Sequence, residues 1–143
     1  MTVRLDHVNL TVPDLNESIE WYKKIFGFEL VESGISPRGL KWGIIAHNDS
    51  MLCMTEYGHK RPAHKNEDDS THRIFHFGIR VSDLDEWQQT VKENQLKLYY
   101  GGVIEYPSSK SWYIHDPSGH EIEVSYTAQE RIQFPSQGAR YSY

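Results

Sequence analysis

Asp6-His7-Val8-Asn9-Leu10-Thr11-Val12-Pro13-Asp14-Leu15 and Phe75-His76-Phe77-Gly78-Ile79-Arg80-Val81-Ser82-Asp83-Leu84 are two versions of one pattern. They align without a gap at an offset of 69 residues, His7 on His76, with alternating apolar positions and then Val, Asp and Leu in common. The residues after each copy are also alike. Leu15, Ile19, Tyr22 and Phe26 recur at helical spacing after Asp14, and Gly27 stands where a left-handed terminal residue is wanted. Leu84, Trp87 and Val91 do the same after Asp83, with Asn94 as the stop. Asp14 and Asp83 are the expected N-caps, since a short carboxylate accepts the free N–H groups of a first helical turn.

Beyond each helix the apolar period changes to two. Phe28–Ser33, Lys41–His47 and Ser50–Glu56 read as strands in the first copy, and Leu96–Tyr100, Lys110–His115 and Glu121–Tyr126 in the second. Turn residues separate them, notably Gly34 to Gly39 with Pro37, Asn48-Asp49, Gly101-Gly102 and Asp116-Pro117-Ser118-Gly119. The expected fold is α+β: two β-α-β-β-β repeats forming a cupped mixed sheet with the helices outside. The 143 residues make one domain, with repeat one at about 3–56, a polar link at 57–72, repeat two at about 73–127 and a tail at 128–143.

Composition narrows the function classes. Fifteen basic against twenty acidic side chains give a net charge of −5, which argues against nucleic acid or an anionic membrane as partner. No apolar run reaches the roughly 20 residues of a membrane span. The single cysteine, Cys53, allows no internal disulfide, and the first residues lack a secretory apolar core, so a cytoplasmic location is expected.

Strand alternation locates the chemistry, because neighbouring side chains point to opposite faces. Val8, Leu10 and Val12 make the apolar face of the first strand, leaving His7, Asn9 and Thr11 on the other. In the second copy Phe75, Phe77, Ile79 and Val81 oppose His76, Gly78 and Arg80. On the last strand Ile122, Val124 and Tyr126 oppose Glu121, Glu123 and Ser125. Two related repeats would thus gather His7, His76 and Glu123 around one point. Two imidazoles and a carboxylate suit Fe(II), Mn(II), Zn(II), Ni(II) or Co(II) and leave positions for water or substrate. The plainer reading is a solvated polar sheet face.

The motifs Asp6-His7-Val8, Pro13-Asp14-Leu15, Trp21-Tyr22, Phe26-Gly27-Phe28, His76-Phe77-Gly78-Ile79 and Asp116-Pro117-Ser118-Gly119-His120-Glu121-Ile122-Glu123 resemble the vicinal oxygen chelate superfamily. That superfamily holds glyoxalases, extradiol dioxygenases, fosfomycin-resistance transferases and bleomycin-binding proteins. The resemblance runs from about Leu5 to Tyr126 and implies metal ligands at His7, His76 and Glu123, and a small-molecule substrate. It also implies a homodimer. Glyoxalase I-like members carry a further carboxylate where this chain has Cys53, so a four-ligand site is disfavoured.

Two enzyme classes share the three-ligand set. Extradiol dioxygenases, the preferred reading from sequence, imply Fe2+ or Mn2+ and a tyrosine at Tyr113, ten residues before Glu123, to hydrogen-bond substrate. Fosfomycin-type thiol transferases, the alternative, also have a tyrosine there and imply an anion-binding arginine near Arg131. Asn9 stands where those transferases have a substrate-contacting threonine. A third possibility is a drug-binding module of the bleomycin-resistance kind, against which the retained ligand types argue. No motif assigns a role to His59, His64 or His72.

Overall fold

The computed structural model describes residue 1, residues 3–58 and residues 74–128. It divides into two compact units, Met1–Asp68 with Asp116–Gly119, and Asp69–His115 with His120–Tyr143. Among the described residues each unit has a four-stranded mixed sheet and one helix.

In the first unit β1 (Val8–Val12) leads into α1 (Leu15–Phe26), followed by β2 (Glu29–Ile35), β3 (Lys41–His47) and β4 (Ser50–Glu56). The spatial order is β1-β4-β3-β2, with β1 and β4 parallel and the remaining pairs antiparallel. The Asp14 carboxylate accepts from Glu17 N–H at 2.9 Å, as its place before the apolar stripe predicts. Gly27 ends the helix at φ 71°, a conformation that clashes for residues with a Cβ. Leu15, Ile19, Tyr22 and Ile25 are buried, as are Leu10, Val12, Ile45, Leu52 and Met54 of the strands. Gly43 permits the close approach of helix and sheet, since a Cβ there would lie 3.4 Å from Leu15 Cδ1. The Tyr22 hydroxyl donates to Asp116 at 3.0 Å, anchoring the Asp-Pro-Ser-Gly turn. Burial and the Asp116 carboxylate push the Tyr22 phenol well above its ordinary pKa.

The second unit repeats the order with β5 (Phe77–Val81), α2 (Leu84–Glu93), β6 (Ile104–Tyr106), β7 (Ser109–His115) and β8 (Glu121–Tyr126), arranged β5-β8-β7-β6. Asp83 caps α2 by accepting from Glu86 N–H at 2.9 Å. Trp87 and Trp112 are buried edge to face at 6.2 Å, beside the buried Ile114, Ile122 and Val124.

Three details depart from the sequence reading. Leu96–Tyr100 is not a strand; the second strand of this unit lies at Ile104–Tyr106. Tyr100, Gly101 and Gly102 all have positive φ (55°, 83° and 101°), and three left-handed residues in a row cannot continue a pleat. The chain therefore turns before it pairs. Phe75, expected on the apolar face, precedes β5 and is exposed. Asn94 does end α2, but Gln95 takes the left-handed conformation (φ 51°).

Candidate metal centre

Register defines how the duplicated positions diverged. In the first unit Asn9 pairs with Cys53, and Cys53 with Ile44. In the second, Gly78 pairs with Glu123, and Glu123 with Tyr113. Cys53 is therefore the structural counterpart of Glu123, as the 70-residue spacing indicates. Along the same face Trp42, Ile44, Met51 and Cys53 of the first unit match Ser111, Tyr113, Glu121 and Glu123 of the second. One copy has kept this face largely apolar and the other has filled it with donors and acceptors. Burial pushes the half-buried Cys53 thiol up, away from the thiolate that binds metal.

In the second unit the polar face brings together His76, Glu123 and Tyr113. His76 Nε2 lies 3.0 Å from Glu123 Oε2. Two donor atoms each about 2.1 Å from one ion, at a right angle, stand about 3 Å apart, so this spacing fits neighbouring ligands of a divalent cation. Ser111 donates to Glu123 Oε1 at 2.7 Å, orienting the carboxylate from behind. The Tyr113 ring meets His76 edge to face at 5.4 Å and Tyr100 at 5.1 Å. Desolvation, helped by the Glu123 charge and by hydrogen bonding with Tyr106 and Glu123, pushes the Tyr113 phenol up to about 12. It stays protonated at neutral pH and is available as a hydrogen-bond donor.

His7 lies in the first unit, just before β1, with Nδ1 2.8 Å from Asp6 Oδ2. A carboxylate on Nδ1 holds the proton there and leaves Nε2 with a free lone pair, the arrangement of a metal-ligating imidazole. Among the described residues no three His, Cys, Asp or Glu side chains form a group that could hold a metal ion. Asn9 is exposed on β1 and accepts from the Thr55 hydroxyl at 3.4 Å. Arg131, His59, His64 and His72 lie outside the described residues. Glu56, which the strand period placed away from Cys53's face, accepts from Leu15 N–H at 3.0 Å and pairs with Lys41 at 3.0 Å. Its role is to hold the start of α1.

The amino-acid sequence alone assigned no role at the site to Ser111 or Glu121. The signal was available, because Ser111 shares its face of β7 with Tyr113, and Glu121 its face of β8 with Glu123. Arg80 is exposed on the same side of β5, opposite Ser125.

The model of the Glyoxalase/Bleomycin resistance protein/Dioxygenase superfamily matches residues 4–124, and the chain belongs to that superfamily. A metallothiol transferase FosB of Staphylococcus epidermidis (strain ATCC 12228 / FDA PCI 1200) is 30% identical over 131 residues, 91% of this chain and 87% of that protein. Among solved structures, a glyoxylase/bleomycin resistance protein/dioxygenase domain from Frankia sp. EAN1pec superposes with a TM-score of 0.72 at 17% identity, covering 91% of this chain and 95% of that one. The fosfomycin resistance protein FosX of Listeria monocytogenes, complexed with Mn(II) and sulfate ion, gives 0.62 at 21% identity, covering 91% and 97%. The curated relatives favour the thiol-transferase alternative over the ring-cleaving dioxygenase preferred from sequence. Among the described residues no helix is long and apolar enough to cross a membrane.

Proposed function

We propose that this chain is a divalent-metal-dependent thiol transferase acting on a small electrophile that carries neighbouring oxygens. The carrying observation is the 3.0 Å approach of His76 Nε2 to Glu123 Oε2, with Ser111 and Tyr113 already arranged around the carboxylate. His76 and Glu123, joined by His7, would hold the ion. Bound there, Mn2+ or a similar cation would supply Lewis acidity toward the substrate oxygens. Fe2+, Zn2+, Ni2+ and Co2+ are compatible with the same donors.

The protein's own part comes from its side chains. Tyr113 keeps its proton at neutral pH, so its hydroxyl donates toward substrate oxygen as negative charge develops there. In the reaction the attacking thiol forms a C–S bond, a C–O bond of the electrophile breaks, and the released oxygen takes up the proton that the thiol gives. Arg131 is assigned to the anionic end of the substrate, and Asn9 to a polar contact beside His7. The assembly is taken to be a homodimer in the cytoplasm.

The test combines metal analysis of the purified protein with turnover of fosfomycin by Mn2+ and small thiols, followed by mass spectrometry of the adduct. Catechol with Fe2+ and dioxygen serves as comparison. A thiol adduct that disappears in Glu123→Ala and His7→Ala, together with most of the bound metal, is expected. Ring cleavage without adduct would restore the dioxygenase reading, and unchanged metal content in both variants would overturn the site.

A further inference from the structure

His76 is flanked by two carboxylates from one strand. Glu121 and Glu123 lie two residues apart on the same face of β8, and the β5–β8 pairing of Phe77 with Ile122 places His76 level with Glu121. Its imidazole therefore has a carboxylate at each nitrogen: Glu123 at 3.0 Å from Nε2 and Glu121 Oε1 at 3.7 Å from Nδ1. His76 Nδ1 and Glu121 Oε1 are both buried, and among the described residues neither has a hydrogen-bond partner. Two buried orphan atoms that face each other across 3.7 Å become natural partners once Nδ1 carries the ring proton, since buried polar groups are rarely left unmade. A small ring tilt closes the gap.

The geometry points to Glu121 as the positioning residue for His76: its Oε1 takes the Nδ1 proton and so turns the Nε2 lone pair toward the metal position. This rests on the metal-site reading above. Glu121 is itself held. Tyr100 donates to Oε2 at 2.6 Å, His115 Nε2 lies 3.6 Å from the same oxygen, and the side chain is only 10% exposed. His115 in turn stacks on Tyr99 at 4.1 Å. The carboxylate is thus fixed by groups outside the metal position, which leaves Oε1 directed at His76.

The duplicated unit supports the assignment by contrast. His7 receives its Nδ1 carboxylate from its own neighbour, Asp6. The residue before His76 is Phe75, which cannot serve, and the counterpart of Glu121 in the first unit is Met51, which has no need to. Each copy supplies one carboxylate to Nδ1 of its histidine, from a different element.

The test measures Mn2+ dissociation constants by electron paramagnetic resonance for the intact chain, Glu121→Gln and Glu121→Met. Gln retains a carbonyl that accepts from Nδ1–H, whereas Met, the residue of the other repeat, does not. Loss of such a partner costs about 10- to 100-fold in metal affinity. That weakening is expected for Glu121→Met, with Glu121→Gln close to the intact chain. A second, metal-independent measurement uses Glu123→Ala, which removes the competing carboxylate. Long-range 1H–15N correlation at a pH where His76 is neutral should show the proton on Nδ1, moving to Nε2 when Glu121→Met is added. Equal Mn2+ binding by Glu121→Met and the intact chain, or a proton on Nε2 in Glu123→Ala, overturns the assignment. An intact chain that binds no Mn2+ would sink the metal reading, and the tautomer measurement would still decide the role of Glu121.

Discussion

Ser111→Ala removes one hydroxyl from the back of the proposed centre and gives a magnitude that can be worked in advance. Ser111 is 2% exposed and its hydroxyl donates to Glu123 Oε1 at 2.7 Å. Hydrogen bonds to charged groups contribute about 1.5–3 kcal/mol, and the Glu123 side chain retains 25% exposure, which favours the lower end. The metal-free variant should therefore lose about 1.5 kcal/mol, seen as a lower urea midpoint at unchanged slope. In a domain of this size that is about 5 °C in Tm.

A second effect arises from orientation. Freed from Ser111, the Glu123 carboxylate samples other rotamers, and Mn2+ affinity should fall at least about tenfold. At a fixed excess of Mn2+ the ion-induced stabilisation then shrinks by about 1.4 kcal/mol. Urea titrations of both proteins, with and without Mn2+, followed by tryptophan fluorescence, yield both numbers. An unchanged metal-free midpoint would refute the hydrogen-bond argument. An identical Mn2+-induced gain in the two proteins would refute the claim that Ser111 orients a ligand.

Tyr113 is expected to titrate near 12, because burial and then the Glu123 charge oppose its ionisation. Since the folded value is the raised one, its contribution to stability is complete below pH 10 and is lost as pH climbs toward 12; 13C NMR of the phenol and alkaline unfolding of Tyr113→Phe check this. The Glu56 carboxyl is held below its usual range by the Leu15 N–H and then by Lys41. Its stabilisation is present above the unfolded carboxylate range and is lost as pH falls through the lowered folded value, so the stability gap to Glu56→Gln should narrow in acid, as urea midpoints at neutral and acid pH will show. Gly27→Ala forces a Cβ into φ 71° and should cost about 1–2 kcal/mol of unfolding free energy, with little change in Mn2+ affinity.

Local signals made most of the architecture legible in the amino-acid sequence. The Asp-caps, the apolar stripe ending at Gly27 and the strands Lys41–His47, Ser50–Glu56 and Glu121–Tyr126 coincide with the observed elements, because periodicity and capping act between residues close in the chain. Leu96–Tyr100 failed for an equally local reason, the left-handed run at Tyr100 to Gly102, which alternation alone does not reveal. Strand parity likewise put His76, Gly78 and Glu123 on polar faces, while Tyr113 came from the family resemblance.

Parity could not say which of those groups would touch. The alignment of Glu123 with Gly78 and Tyr113, the reach of Ser111 to one carboxylate oxygen and the facing of Glu121 with His76 Nδ1 depend on inter-strand register and rotamers. Those are set by how different strands pair and pack, and for β5 and β8 the partners lie far apart in the chain. The two repeats, and the residue types available to bind an ion, were readable along the chain without any coordinates. That Glu121, rather than a neighbour in the chain, stands beside His76 came from strand pairing, because a sheet brings together residues that no local pattern connects.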